Sequence, residues 1–201
     1  ERGDAERPAD LAVIERALNR LETLFTQWLS SDALETGHFP LEPRRIPLRQ
    51  FLQRSADDVL VDDKADRLTV HPPAPDMEIV ADPVLLRAAV VNLLDNALRY
   101  SPADCAVDIW VEAGPHAVDI GVRDRGNGIA AADDERIFQR HVRLHPDSGP
   151  GGLGIGLTMV RRVAKLHGGT VHLDSAPGEG SVFVLRIPII FGGQERTGTE
   201  S

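Results

Sequence analysis

Three clusters of residues have the types and spacing to act on a charged ligand. Asn92, Asn96 and Arg99 fall at i, i+4 and i+7, which is one face of a helix. The positions between and before them, Leu85, Leu86, Ala89, Val90, Leu93, Leu94, Ala97 and Leu98, are apolar. A buried amide without a partner costs about 1–3 kcal/mol, so this polar line either faces solvent or is satisfied by a ligand. An Asn carbonyl oxygen suits a hard cation such as Mg2+, which keeps waters and shares its shell with substrate phosphates. Asp124 continues the parity of Val118, Ile120 and Val122 and therefore points to the apolar face at the end of its strand. An inward carboxylate needs donors, either an adenine exocyclic amine or the backbone amides of a turn. Gly126 and Gly128 beside it allow close backbone approach. Finally, Gly152-Leu153-Gly154-Ile155-Gly156 runs directly into a helical pattern, where unpaired N–H groups and the positive end of the dipole favour phosphate.

Several chemistries are excluded. Leu157-Thr158 stands where a phosphate-binding Walker loop needs Lys-Ser/Thr. Gly149 to Gly154 matches a dinucleotide-type glycine pattern, with Asp174 about twenty residues on, but no buried strand precedes it and too little chain follows to complete a doubly wound sheet. The seven histidines show no helical metal-ligand spacing. No Gly-x-Ser-x-Gly elbow is present, so acyl transfer has no support.

The elements that must position these clusters follow from pattern and punctuation. Leu11, Ile14, Leu18, Leu21, Phe25 and Trp28 form one helical stripe opening near Pro8, and residues 32–47, with Pro40, Pro43 and Pro47, read as a linker. A helix is expected from Leu48 to about Asp66, then strands at Leu68 to His71 and Met77 to Ala81. Asp82-Pro83 is a cap followed by proline at the first helical position, opening a helix to about Tyr100. Val107 to Val111 and Val118 to Val122 alternate as a hairpin. The segment from Gln139 to Gly152 is polar and aperiodic and reads as a lid, a helix spans Leu153 to His167 up to Gly168-Gly169, and strands at Thr170 to Asp174 and Ser181 to Ile187 finish the fold. The polar tail from Gly192 reads as disordered.

Composition bounds the function. Of 201 residues, 42% are apolar and 26% charged, and 22 Lys and Arg against 31 Asp and Glu give a net charge of −9. That charge disfavours nucleic acid as a partner. The one cysteine, Cys105, makes an internal disulfide impossible and fits a reducing compartment. No apolar run is long enough to cross a bilayer, and the charged start without Met reads as a soluble fragment of something longer.

Taken in order, Asn92-Leu93-Leu94-Asp95-Asn96-Ala97-Leu98-Arg99-Tyr100, Asp124-Arg125-Gly126-Asn127-Gly128-Ile129, Glu135-Arg136-Ile137-Phe138-Gln139-Arg140 and Gly152-Leu153-Gly154-Ile155-Gly156-Leu157 resemble the N, G1, F and G2 boxes of sensor histidine kinase ATP-binding domains. His167-Gly168-Gly169 and the strand ending at Pro188 resemble that family as well. The resemblance implies an α+β fold, a two-layer sandwich of helices on one face of a mixed sheet (the Bergerat ATP-binding fold), over residues 46–190. Residues 1–45 resemble the end of the family's dimerisation helices plus a linker, and 191–201 are a tail.

By the same resemblance the cofactors are ATP and Mg2+. Asn96 is the expected metal ligand. Asn92 and Arg99 lie near the phosphates, Tyr100 near the nucleotide, and Asp124 on the adenine amine. Gly126, Gly128 and Ile129 border the base, while Gly152, Leu153, Gly154, Ile155, Gly156 and Leu157 line the phosphates. Arg140 and Arg143 add positive charge, and Asn92, Arg99 and Arg140 are the expected catalytic residues. Asn127 departs from the family pattern, which has Pro there. The implied activity is ATP-dependent protein histidine phosphorylation, with the acceptor histidine outside this chain, a response regulator and a homodimer's own phosphoacceptor helix as partners, and a cytoplasmic location. Hydrolytic members of the superfamily carry a Glu base four residues before the metal Asn, where this chain has Asn92, which is no base at neutral pH. A serine kinase of the anti-sigma type and a nucleotide-binding module without catalysis compete with the histidine kinase reading.

Overall fold

The computed structural model describes residues 41–60, 67–142, 144 and 154–189. The expected helix over 8–28, residues 61–66 at the end of the helix expected to Asp66, residues 143 and 145–152 of the expected lid, Leu153 and the tail from Gly192 lie outside them.

Helix formation is clearest where sequence signals agree. Strand β1 (Arg44–Pro47), helix α1 (Leu48–Val59), β2 (Leu68–His71) and β3 (Glu78–Ala81) lead to α2 (Pro83–Tyr100). The Asp82 side chain accepts from Val84 N and Leu85 N, and all eight apolar positions noted above are buried. Then come β4 (Val107–Ala113), β5 (Ala117–Arg123), short 3-10 turns at Ala131–Asp133 and Arg136–Phe138, α3 (Gly156–Leu166), β6 (Thr170–Ala176) and β7 (Gly180–Pro188).

Five strands form a mixed sheet in the order β2-β4-β5-β7-β6, with β2 parallel to β4 and every other pair antiparallel. The parallel step needs a crossover, and β3 and α2 supply it. Val107, Ile109, Val118, Ile120, Val122, Phe183, Leu185 and Ile187 are buried on one face, in one cluster with the apolar faces of the helices. On the other face Trp110 lies flat across Gly121, whose absent Cβ would stand 2.2 Å from the ring. The result is the α+β two-layer arrangement.

Three boundaries differ from the sequence-based expectation. Residues 44–47, expected within a linker, form β1, which pairs antiparallel with β3 from Arg44↔Ala81 to Pro47↔Glu78. Only Ile46 points inward there, so four residues give no alternation to read. Helix α1 stops at Val59 instead of near Asp66. Asp57 and Asp58 load its last turn with negative charge where the dipole favours cations. Helix α3 starts at Gly156 instead of Leu153, because Gly154 holds φ 67°, outside the helical region.

Leu94 of α2 is fully buried in the core. Leu94→Ala is expected to lower stability by about 3 kcal/mol, read as the urea midpoint at unchanged slope.

Candidate functional site

A cavity of about 90 Å3 opens between the C-terminal half of α2, the loop after β5 and the start of β7. Asn96, Tyr100, Asp124, Gly128, Ile129 and Leu157 line it, together with Asn127, Ile137, Val142, Leu144, Ser181 and Phe183. Residues from all four boxes thus meet at one place, the third contributing Ile137 and the fourth Leu157 in the first turn of α3.

Asp124 is 6% exposed. Its Oδ1 accepts from Gly126 N at 2.8 Å and Ser181 N at 3.2 Å, so backbone amides satisfy that oxygen while the carboxylate still borders the cavity. Burial raises its pKa above the ordinary carboxyl value, opposed by the bonds from Gly126 and Ser181. Gly128 lines the cavity with φ 65°, and a Cβ there would stand 1.9 Å from the Ala176 carbonyl oxygen. Gly126 is not among the lining residues; its missing side chain makes room for the Tyr100 carbonyl, 2.5 Å from where a Cβ would be. Ile129 N donates to Ser175 Oγ at 2.8 Å, and Gly178 N donates to the Asn127 carbonyl at 2.7 Å. The loop after β5 is therefore sewn to the β6–β7 turn even with Asn at position 127.

The other expected residues divide. Asn92 donates from Nδ2 to the Ala88 carbonyl at 2.8 Å, and its Oδ1 faces the first residue of α3, where a Cβ on Gly156 would stand 2.6 Å away. It lies against the start of α3, off the cavity lining. Arg99 pairs with Asp95 at 3.0 Å along the exposed edge of α2. Arg140 is exposed, and after burial its charge is the second cause that lowers the pKa of Arg162. The Gly154 carbonyl accepts from His141 N at 3.0 Å, which brings the two described ends of the 139–154 segment together. Ile155 is buried at the N-cap of α3, whereas Arg143, Gly152 and Leu153 lie outside the described residues. Ser181 and Phe183 lie outside the boxes; the inward parity of their strand marks them as buried, but only the strand order brings them to the cavity.

Between the ordinary carboxyl value of 3.8 and its raised folded value, native Asp124 holds a proton that the unfolded chain has lost. Its contribution to stability therefore falls as pH rises through that window. Asp124→Asn keeps an acceptor for Gly126 and Ser181 and removes the charge. Its urea midpoint relative to the parent should rise from mildly acidic to neutral pH. Gly128→Ala should cost more than about 2 kcal/mol in the same assay, from its positive φ and the Ala176 carbonyl.

Residues 81–190 match HATPase_c, described as Histidine kinase-, DNA gyrase B-, and HSP90-like ATPase. The adaptive-response sensory kinase SasA of Crocosphaera subtropica is 34% identical over 175 residues, 87% of this chain and 46% of that protein. The sensor-like histidine kinase SenX3 of Mycobacterium bovis is 40% identical over 131 residues, 64% of this chain and 32% of that protein. The chain spans less than half the length of both relatives. Among solved structures, full-length ShkA in complex with AMPPNP has a TM-score of 0.74 at 22% identity, covering 95% of this chain and 40% of that one. The Acinetobacter baumannii histidine kinase AdeS has a TM-score of 0.71 at 22% identity, covering 94% of this chain and 86% of that one. These two likenesses speak to the fold. With its match covering more than half of the 201 residues, the chain belongs to the HATPase_c family of histidine kinase-, DNA gyrase B- and HSP90-like ATPases.

Proposed function

We propose that the chain carries the catalytic ATP-binding domain of a two-component sensor histidine kinase, which passes the γ-phosphoryl of ATP to a histidine on a dimerisation helix outside these 201 residues. The observation that carries this reading is the meeting of Asn96, Tyr100, Asp124, Gly128 and Leu157 around one cavity, with Asn92 where a hydrolytic enzyme would place its base. The kinase names of the relatives support it, as does the nucleotide analogue held by ShkA. In this reading residues 46–190 are the catalytic domain, 1–45 the end of the dimerisation region and its linker, and 191–201 a tail. The partners are a second copy of the parent protein and a response regulator, and the reaction takes place in the cytoplasm. No helix among the described residues is long and apolar enough to cross a membrane.

The adenine is held at Asp124. Gly126 N and Ser181 N demand an acceptor at Oδ1, so the carboxylate keeps its second oxygen for the exocyclic amine. Gly128 and Ile129 flank the base, and Tyr100 and Leu157 close the apolar sides. The residues fit a magnesium ion in one specific way. No group of three or more His, Cys, Asp or Glu among the described residues would hold a metal, while Asn96 offers a neutral oxygen on the cavity wall. That donor set suits a hard cation bound mainly through the nucleotide's phosphates. Mg2+ bound there neutralises phosphate charge. The unpaired N–H groups at the start of α3 add a positive end aimed at the same phosphates, and Arg140 supplies further charge. Asn92 cannot take a proton from water, so nothing in the described site activates hydrolysis. A neutral imidazole from a partner helix already presents its lone pair.

Label from γ-labelled ATP is expected on the parent's dimerisation segment, with slow phosphate release by this chain alone. Rapid release without acceptor, abolished by Asn96→Ala, would make it a self-contained ATPase. In Asp124→Asn the carboxamide oxygen must serve Gly126 and Ser181, which leaves its NH2 facing the adenine amine, donor against donor. ATP affinity measured by calorimetry should fall roughly 10- to 100-fold.

A further inference from the structure

His167 is 2% exposed, and both ring nitrogens meet backbone groups with fixed roles. Nδ1 lies 2.8 Å from the Val163 carbonyl, which can only accept, and Nε2 lies 2.9 Å from the Asp82 amide, which can only donate. The ring therefore carries its proton on Nδ1 and a lone pair on Nε2, and it is neutral. The two bonds join the C-terminal end of α3 to the N-cap of α2, 85 residues apart. At the opposite end of the same helix pair, Gly156 packs against the Asn92 side chain, whose Oδ1 would stand 2.6 Å from a Cβ there. From Asp82 to Asn92 α2 rises about 15 Å, and from Gly156 to His167 α3 rises about 17 Å. The two contacts are thus the ends of one antiparallel span of matched length.

We propose that His167 is a positioning residue for the nucleotide site: while its imidazole is neutral, its bond to the Asp82 amide sets the register of α3 along α2, and with it the place of the α3 N-terminus beside Asn92 and Asn96. This rests on the reading that those residues serve a nucleotide. Asp82 is the charged side chain whose field reaches the ring. It favours the imidazolium, as does the Val163 carbonyl, but burial is the largest influence and lowers the pKa below the ordinary histidine value. Because the unfolded chain takes up the proton first, this residue's stabilisation is full above an ordinary histidine pKa of 6.5. It is lost as pH falls from there through the lower folded value. Protonation of the folded ring replaces the Nε2 lone pair with a second N–H, which cannot accept from Asp82.

Nitrogen-15 NMR of the wild-type chain at neutral pH is expected to show a neutral ring protonated on Nδ1; the opposite tautomer would overturn the proposal. On acidification, the protection of the Asp82 amide and of the Met159 amide, which donates to the Ile155 carbonyl at the start of α3, should fall together as His167 titrates, once the intrinsic dependence of exchange on pH is divided out. This readout needs no substitution. In His167→Phe, measured well below its melting temperature, the same two amides should exchange faster and affinity for Mg-ATP should weaken about tenfold. Faster exchange confined to residues 163–169, with affinity unchanged, would reduce His167 to a local packing residue and overturn the proposal. Wild-type protein that fails to bind Mg-ATP would instead overturn the kinase reading, and the paired exchange would still decide whether His167 sets the register.

Discussion

Asp82 joins three parts of the chain at a 7% exposed position. Its Oδ1 caps α2 by accepting from Val84 N and Leu85 N, its Oδ2 accepts from Glu42 N at 3.1 Å just before β1, and its own amide is held by His167 at the end of α3. A buried carboxylate is tolerable only when its oxygens are met by donors, and a helix N-terminus supplies donors and favourable potential together. Where that carboxylate can be satisfied decides where α2 begins. A rigid helix then carries the decision to Asn92, Asn96 and Tyr100, so the placement of the α2 wall of the cavity is inherited from a cap at the far end of the helix.

The Asp124 wall of the cavity depends on strand pairing instead. Strand β7 returns between β5 and β6, with Arg123 opposite Val182, so the residue just after β5, Asp124, meets Ser181. The pair is locked from both sides: Asp124 N donates to the Ser181 carbonyl at 2.8 Å while Ser181 N donates back to Oδ1. Gly180, with φ 80°, permits the approach, since a Cβ there would stand 2.3 Å from the Asp124 carbonyl oxygen. The carboxylate is thereby fixed in direction before any ligand arrives. The cost is a charge held in a dry place, which the raised pKa of Asp124 records. Preorganisation at that wall is obtained against local stability.

Much of this is legible in the sequence, for reasons specific to each element. Asp82-Pro83 and eight apolar positions at helical spacing name α2 outright, and the parity of Val118 to Asp124 places the carboxylate inward. β1 is not legible, because with only Ile46 inward its pairing partner, and not its own pattern, makes it a strand. Gly156 reads in the sequence as a phosphate-site glycine, whereas its immediate constraint is helix packing against Asn92. Seven histidines without metal spacing give no reason to single out His167; its role appears only when the N-cap of α2 and the end of α3 are brought together. Ser181 and Phe183 join the cavity for the same reason, through a strand order that period-two alternation cannot reveal.

The distribution of charge explains why the position of α3 carries so much weight. In a chain of net charge −9, a polyphosphate needs a local source of positive potential. Nine of the fourteen described arginines are committed to carboxylates: Arg44 to Glu42, Arg45 to Glu78, Arg49 to Asp76, Arg87 to Asp58, Arg99 to Asp95, Arg125 to Asp108, Arg136 to Asp133, Arg161 to Glu135 and Arg186 to Asp119. Such exposed pairs contribute little to stability individually, but each occupies a cation that would otherwise attract phosphate. The Arg140 and Arg162 charges oppose one another, so neither gathers the other into a tight cluster. In the proposed reading, attraction at the site then falls largely to fixed dipoles, foremost the backbone amides at the start of α3, with Arg140 adding charge from an exposed position. Dipolar fields weaken faster with distance than those of full charges, so a site built on them tolerates little displacement. In the proposed reading, a fold that relies on a helix N-terminus for phosphate must hold that helix in register, which is the part assigned to the buried His167–Asp82 bond and the half-buried Asn92–Gly156 contact.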